Sequence, residues 1–359
     1  MAAAIAASLA GGLIMAFLPA AESGAATLTN VTIGESIISV QTAALKAALQ
    51  YGYFKQEGLN VTIPVIVGGS PVLVAGLQSG SLNFINSGYS GAALKPDAVG
   101  ANVISIAATE DGAPAIDFIV STSIAQKFGL TKSTPWMTVL QDLKGQAIAV
   151  QSLNGGAGIY YKALLNQAGL PLSWMTPVTI ASETGTDTAL AANQVAATVF
   201  QFPGNEEITS NKDGVDLFSM NVIPSLKHIV DTSIMTTTTY AAANPSIVKK
   251  IAKGIAWGDN LLLDQATRAE ALKAEHTCFP AFSNQTLFSQ VSIGMVKNAA
   301  QPPSLMSESA LVAYNTGSLA APLSATQIKA SYSNAYLPKS YVQPVLPPKK
   351  YWDFNSAFC

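Results

Sequence analysis

Two glycine-rich loops, each lying between a strand-like run and a segment of helical period, constrain this chain more than any other feature. Asn60 to Val67 runs into Gly68-Gly69-Ser70-Pro71, and Ala147 to Val150 runs into Asn154-Gly155-Gly156-Ala157-Gly158. A strand that passes through a short loop into a helix can pair with a following strand only after a crossover. Right-handed crossovers of that kind build parallel sheets covered on both faces. The expectation is therefore α/β architecture.

The rest of the pattern fits that grammar. Val31 to Gly34 reads as a strand, followed by apolar positions Val40, Ala43, Ala44, Ala47, Ala48 and Tyr51 at helical spacing and a stop at Gly52. Ser70 suits a helix N-cap and Pro71 the first helical position, with the helix running to Gln78 and ending at Gly80 before a strand at Leu82 to Ile85. In the second half, a helix at Ile159 to Ala168 precedes strands near Pro177 to Ile180 and Val195 to Phe200. Leu77, Gly80 and Leu82 recur 113 residues later as Leu190, Asn193 and Val195, a weak repeat that points to two related lobes. Beyond Met235 the pattern turns to helices, at Pro245 to Leu263, Gln265 to Ala274, Gln285 to Val296 and Ala325 to Ala335, then to a proline-rich tail.

Composition narrows the function. Of 359 residues 49% are hydrophobic and 11% charged, a mean hydropathy of +0.32, yet only Met1 to Ala21 is an uninterrupted apolar run of spanning length. The cations are 18 lysines and one arginine, Arg268, against 21 acids, which leaves no basic face for nucleic acid. Ile5 to Leu18 makes the apolar core of a signal peptide, and the small residues of 21–26 put cleavage after Ala26, although no Lys or Arg precedes Lys46. The alternative is a membrane anchor. With no cysteine near the leader, a lipid attachment is not expected, and the mature chain is expected free in the periplasm. In that oxidising compartment Cys278 and Cys359 either pair or stay as thiols.

A longer stretch carries a resemblance. Ala48-Leu49-Gln50-Tyr51-Gly52-Tyr53-Phe54-Lys55-Gln56-Glu57-Gly58-Leu59-Asn60-Val61, then Leu77 to Phe84, Asp142 to Gly145, Gln167 to Leu170 and Leu190 to Ala197, stand in order between Val31 and Pro203. In that order they resemble the periplasmic solute-binding proteins of ABC importers, of the nitrate, sulfonate and taurine type that includes NMT1/THI5-like binders of thiamine pyrimidine precursors. The family often has aspartate where Asn83 and Ala196 stand, and its anion binders place a cation in the cleft. The resemblance implies a type II two-lobed fold, with the chain crossing twice between lobes and ligand closed in the cleft. Lobe one is then 27–118 plus 236–359, and lobe two 119–235. It also implies a monomer that needs no cofactor or metal and has an ABC permease as partner.

Independently of family, an open α/β sheet binds ligand at the carboxyl ends of its strands. That rule selects Glu35, Ser36, Gly69, Ser70, Ser87, Tyr89 and Glu110 in lobe one, and Asn154, Gly155, Gly156, Thr184, Gln201 and Phe202 in lobe two. Gly69-Ser70 and Gly155-Gly156 would offer helix N-termini to an anion or a polarised oxygen. Tyr89 and Phe202 would offer flat walls, Gln201 and Asn154 directional hydrogen bonds, and Glu35, Glu110 and Glu183 carboxylates for a cationic or N–H-rich ligand. For each residue the plainer alternative is capping, core packing or a solvated loop.

Catalytic motifs do not complete. Gly88-Tyr89-Ser90-Gly91-Ala92 misses a nucleophile elbow at its last position, Tyr161 stands where a dinucleotide fingerprint needs glycine, and His228 and His276 are too few for a structural zinc site. The expectation is a non-catalytic binding protein whose lobes close on the solute. The alternative is an enzyme on the same fold, of pyrimidine synthase-like or chorismate dehydratase-like type. Within the binding reading, a neutral or weakly cationic heterocycle and an anion bound without arginine stay open as equal options.

Overall fold

The computed structural model describes residues 27–36, 38–94, 102–113, 115–153, 155–180, 182–292, 294–355 and 358–359. The expected signal peptide and Asn154 lie outside the described residues. Ten strands make two five-stranded sheets: β1 (Thr29–Glu35), β2 (Leu59–Thr62), β3 (Phe84–Gly88), β4 (Val103–Asp111), β5 (Ile116–Ser121), β6 (Ala147–Val150), β7 (Thr176–Thr179), β8 (Ala197–Gln201), β9 (Gly214–Ser219) and β10 (Val230–Thr237). The orders are β2-β1-β3-β10-β4 and β7-β6-β8-β5-β9.

Each sheet is mixed rather than wholly parallel. Its first three strands run parallel, whereas β10 runs against β3 and β4, and β5 against β8 and β9. The cause is the crossing. β5 and β10 arrive from the other lobe and enter at the end where the parallel strands finish, so they run against them. The chain reaches the second sheet between Asp111 and Ile116 and returns between Ser219 and Val230, which puts Ile116–Phe118 with the second sheet and Val230–Met235 with the first, ahead of the expected switches at 118 and 235.

Local chemistry explains where elements stop. The strand expected from Asn60 to Val67 ends at Thr62 because Pro64 has no N–H for a ladder, leaving Val65 an isolated bridge to Glu35. Helix Gly69–Ser79 has Gly68 at its N-cap, at φ 128°, and not Ser70, whose hydroxyl instead meets that of Ser87 at 2.8 Å. Gly80, at φ 76°, closes this helix in the left-handed region, and Asn193, at φ 55°, closes the turn after helix Glu183–Ala191. β3 and β8 keep the same spacing of 113 residues.

Apolar layers cover both faces of each sheet. Leu45, Phe54, Ile106 and Trp257 belong to one core of lobe one and Leu73, Ile85, Tyr89 and Met306 to the other. In lobe two Phe118, Leu140, Tyr161 and Leu164 make the larger core and Ile119, Leu190, Phe200 and Ile208 the smaller. Helix Pro245–Leu263 has the bounds its period predicts, and its Gly258 leaves no room for a methyl, since a Cβ would come within 2.1 Å of the Ala44 carbonyl. The later helices are Arg268–Cys278, Asn284–Val291 and Ala325–Ala330, shifted or shortened from expectation, and Pro303–Asn315 is additional. This last helix touches both lobes. Ser309 accepts from the Val230 N–H at 2.9 Å, and the Asn315 carbonyl accepts from Asn166 of lobe two at 3.2 Å.

The tail is irregular but anchored. Trp257 donates to the Val345 carbonyl at 3.0 Å, Lys55 pairs with Asp353 at 2.8 Å, and Cys278 is joined to Cys359 by a disulfide with Cα atoms 5.2 Å apart.

Candidate functional site

A cavity of about 660 Å³ lies between the sheets. It is walled by the residues that end or follow the parallel strands: Glu35-Ser36 after β1, Gly68-Gly69-Ser70 beyond β2, Asn86-Ser87-Gly88 in β3, Gln151-Ser152 after β6, Thr179 and Ser182 at β7, and Gln201 in β8. The geometry follows from parallel pairing, which aligns every carboxyl end on one side.

Of the residues selected from sequence, Glu35, Ser36, Gly69, Ser70, Ser87, Gly155, Gly156 and Gln201 line the cavity. Four others do not. Tyr89 is fully buried in the lobe-one core, its hydroxyl 2.5 Å from that of Ser331. Phe202 is also fully buried, its ring 5.2 Å from Phe279 and 4.9 Å from Phe282, so it packs the end of β8 against lobe one instead of facing ligand. Thr184 is exposed, one position past the wall residue Glu183. Glu110 sits one layer behind the wall, hydrogen-bonded to Asp231. Burial of an aromatic ring releases more free energy than half-exposure at a cleft, which is why both aromatics went inward.

Residues that local sequence does not single out complete the wall: Gln41, Tyr160, Glu207, Asp231 and Phe279. Asp231 is the junction. It accepts Gln41 Nε2 at 3.0 Å from its own lobe and the Tyr160 hydroxyl from helix Gly156–Gln167 of the other lobe. Burial and the Asp231 charge push the Glu110 carboxyl well up, and burial raises Asp231 as well, with a hydrogen bond between the two side chains. The signal available in sequence was Asp231 as the one charged residue of a strand otherwise made of Val, Thr, Ser, Ile and Met.

A buried polar ladder sets the neighbouring wall. Thr109 donates to Asn86 Oδ1 at 3.1 Å and lies 2.8 Å from the Thr232 hydroxyl, tying β3, β10 and β4 at their cleft ends. Across the cleft, Ser182 caps helix Glu183–Ala191 by accepting from the Gly185 N–H, and Gly158 is required because a Cβ there would meet the Ser152 carbonyl at 2.4 Å. The N-termini of helices Gly69–Ser79 and Gly156–Gln167 both reach the cavity.

The charge of the wall is one-sided. Glu35, Glu183, Glu207 and Asp231 line it, and no Lys, Arg or His does so among the described residues. Burial, reinforced by Glu207, pushes Glu183 up to about 7. Burial also raises Glu35, opposed by the positive charge of Lys46, and beneath it burial lifts Glu275 to about 7 against the pull of Lys46. Arg268, the single arginine, bonds the Leu262 and Leu263 carbonyls away from the cleft.

Three comparisons bear on this geometry. The family profile described as NMT1/THI5 like matches residues 39–269. Among solved structures the fold is similar to the alkanesulfonate-binding protein SsuA from Xanthomonas axonopodis pv. citri bound to MOPS, at 18% identity and TM-score 0.65, covering 86% of this chain and 99% of that one. It is also similar to the nitrate-binding protein NrtA from Synechocystis PCC 6803, at 11% identity and TM-score 0.67, covering 87% and 88%. A further similarity is to the periplasmic aliphatic sulphonate binding protein SsuA from Escherichia coli, at 15% identity and TM-score 0.63, covering 89% and 97%. No curated protein matches the chain in sequence. At such identities the structures share a fold, while the profile spans well over half of the sequence: the chain belongs to the NMT1/THI5-like family.

Proposed function

We propose that this chain is the solute-binding component of an ABC importer. Exported to the periplasm by its leader, it takes a small solute between its lobes as a monomer and passes it to the permease without chemical change. Family membership, the fold shared with proteins named as sulfonate and nitrate binders, and a disulfide suited to an oxidising compartment support this reading. Lobe closure would be driven by contacts that a solute makes to both sides at once.

The solute is cationic or rich in N–H donors. The observation that carries this is the wall of four carboxylates with no cationic side chain among its described residues. Helix N-termini would favour an anion by about 0.3–1 kcal/mol each, up to about 2 when partly buried. An anion 4 Å from even one ionised carboxylate meets about 4 kcal/mol of repulsion at an effective dielectric of 20. With four carboxylates in the wall against two helix N-termini, repulsion of an anion is the larger effect.

Thermal shift of the mature chain tests both parts. A solute at about 100 times its Kd stabilises by about 2.7 kcal/mol, which moves a melting point by several degrees. Amines, amidines and amino-heterocycles should shift the transition and alkanesulfonates or nitrate should not. A shift by the anions alone would overturn the ligand class.

A further inference from the structure

We propose that Glu35 is the specificity-determining residue of the cleft and receives a paired N–H donor of the solute, such as the edge of an amidinium, a guanidinium or an amino-heterocycle. This assignment rests on the reading of the cleft as a site for N–H-rich solutes, and it says which carboxylate does the selecting.

The four wall carboxylates differ in what already occupies them. Asp231 is spent: Gln41, Tyr160 and Glu110 all hydrogen-bond to it. Glu207 is exposed, where water satisfies a carboxylate cheaply, and Glu183 is half-buried, with one oxygen lacking a hydrogen bond and its carboxyl pushed up to about 7 by burial. Glu35 is 2% exposed, and neither of its oxygens makes a well-formed hydrogen bond among the described residues, although the Thr42 hydroxyl and the Lys46 ammonium stand close by. The neighbouring Thr42 hydroxyl donates to the Ser39 carbonyl instead, at 2.8 Å. Buried carboxylates without hydrogen bonds are costly, and of the three that lack one on both oxygens among the described residues, Glu35, Asp259 and Glu275, Glu35 is the one that lines the cavity.

The surroundings hold that carboxylate ready. The Lys46 ammonium, fully buried, stands 3.7 Å from Glu35, too far for a hydrogen bond but near enough to oppose the burial that raises the carboxyl. It also lies 5.8 Å from the ring centroid of Phe279, a wall residue, and attracts the buried Glu275. Lys46 itself is not part of the wall. It therefore acts as a counter-charge from outside the wall, while both oxygens of Glu35 are left without a hydrogen bond. Two free oxygens on one planar group match two parallel N–H donors better than a single ammonium. At about 660 Å³ the cavity has room for a ring carrying such an edge.

The test uses benzamidine, benzamide, n-butylamine and butanesulfonate as probes on the mature chain and on Glu35→Gln, read by calorimetric titration and by melting point. The unliganded variant should fold but melt somewhat below the parent temperature, because the buried Lys46 loses one of its two counter-charges and keeps Glu275. Benzamidine should bind the parent more tightly than butylamine, and its neutral isostere benzamide should bind weakly. In Glu35→Gln benzamidine affinity should fall by about 10- to 150-fold, the loss of a charge-assisted bidentate bond. Benzamidine binding that is equal in the two proteins, or a parent that does not distinguish benzamidine from benzamide, would overturn the Glu35 assignment and leave the ligand class standing. A parent that binds butanesulfonate and none of the nitrogen probes would instead overturn the ligand class on which it rests.

Discussion

The two lobes are built on one plan and furnish the cleft differently. Each has three parallel strands, one antiparallel strand received from the other lobe, and an outer strand beyond it. Lobe two contributes the Gly155-Gly156 turn, capping Ser182, Gln151, Gln201, Tyr160 and the two more exposed carboxylates, Glu183 and Glu207. Lobe one contributes buried charge, with Glu35 backed by Lys46 and Glu275, and Asp231 backed by Glu110. The shared plan fixes where a cleft forms, and the unshared charges fix what it can hold.

The disulfide makes the lobes most unequal. Cys278 and Cys359, separated by 81 residues, cross-link only lobe one, and in the chain-entropy model such a loop contributes about 4–5 kcal/mol. Reduction, or Cys278→Ser with Cys359→Ser, should lower the stability of lobe one by up to that amount. Urea unfolding followed by far-UV signal and by a lobe-two probe should then separate into two transitions. A single unchanged transition would show that the tail adds nothing to lobe one.

The tight glycines should distinguish packing from function. Gly258→Ala forces helices Ala43–Gln50 and Pro245–Leu263 apart, and Gly158→Ala pushes on the backbone at Ser152 and Leu153. Each should cost about 1–3 kcal/mol in chemical denaturation. The lobe-one change should leave solute affinity intact, whereas the lobe-two change, which displaces the cleft loop, should weaken it as well.

The link between lobes is an effect of similar size. Tyr160→Phe removes the hydroxyl that reaches Asp231 across the cleft, worth about 1.5–3 kcal/mol as a hydrogen bond to a charged group. The unliganded chain should then show a larger radius of gyration in solution scattering. A profile identical to the parent would mean that the helix Pro303–Asn315 side alone holds the lobes together.

Buried acids should make stability fall with pH. Glu183 and Glu275 carry folded values of about 7 against an ordinary 4.5, so the folded chain binds more protons than the unfolded one between those limits. Their contribution is favourable below about 4.5 and is lost as pH climbs to about 7. Melting points measured across that interval should decline, and Glu275→Gln should flatten the slope more than Glu183→Gln, because Glu275 is the more deeply buried.

How far the sequence disclosed this design depends on the range of the forces involved. Helix Pro245–Leu263 was legible to the residue, since its period and its N-terminal proline are local facts. So were the strand-end loops, and with them Glu35, Gly69, Ser70, Gly155 and Gln201. Strand direction was not, because β5 and β10 run as they do only through the path of the chain between lobes. Gln41, Tyr160 and Asp231 escaped for the same reason: they meet across 190 and 71 residues, and nothing adjacent to any of them announces the others.

The smallest effect tests the repeat itself. Gly80 and Asn193 hold equivalent left-handed positions, at φ 76° and 55°, but only Asn193 uses its side chain, accepting from Ser121 and Ser123. An L-residue with no local hydrogen bond pays about 1–2 kcal/mol in this conformation, and asparagine pays less. A Cβ at Gly80 would meet nothing within 4 Å, so the cost there is conformational alone. Gly80→Ala should therefore cost about 1 kcal/mol and Gly80→Asn a fraction of that in equilibrium unfolding. Asn193→Gly should come out near zero, because relief of the backbone offsets the lost bonds to the two serines, while Asn193→Ala loses on both counts and should be the worst of the four. If Gly80→Asn costs as much as Gly80→Ala, the two turns are not equivalent, and the correspondence between lobes would rest on the sheets alone.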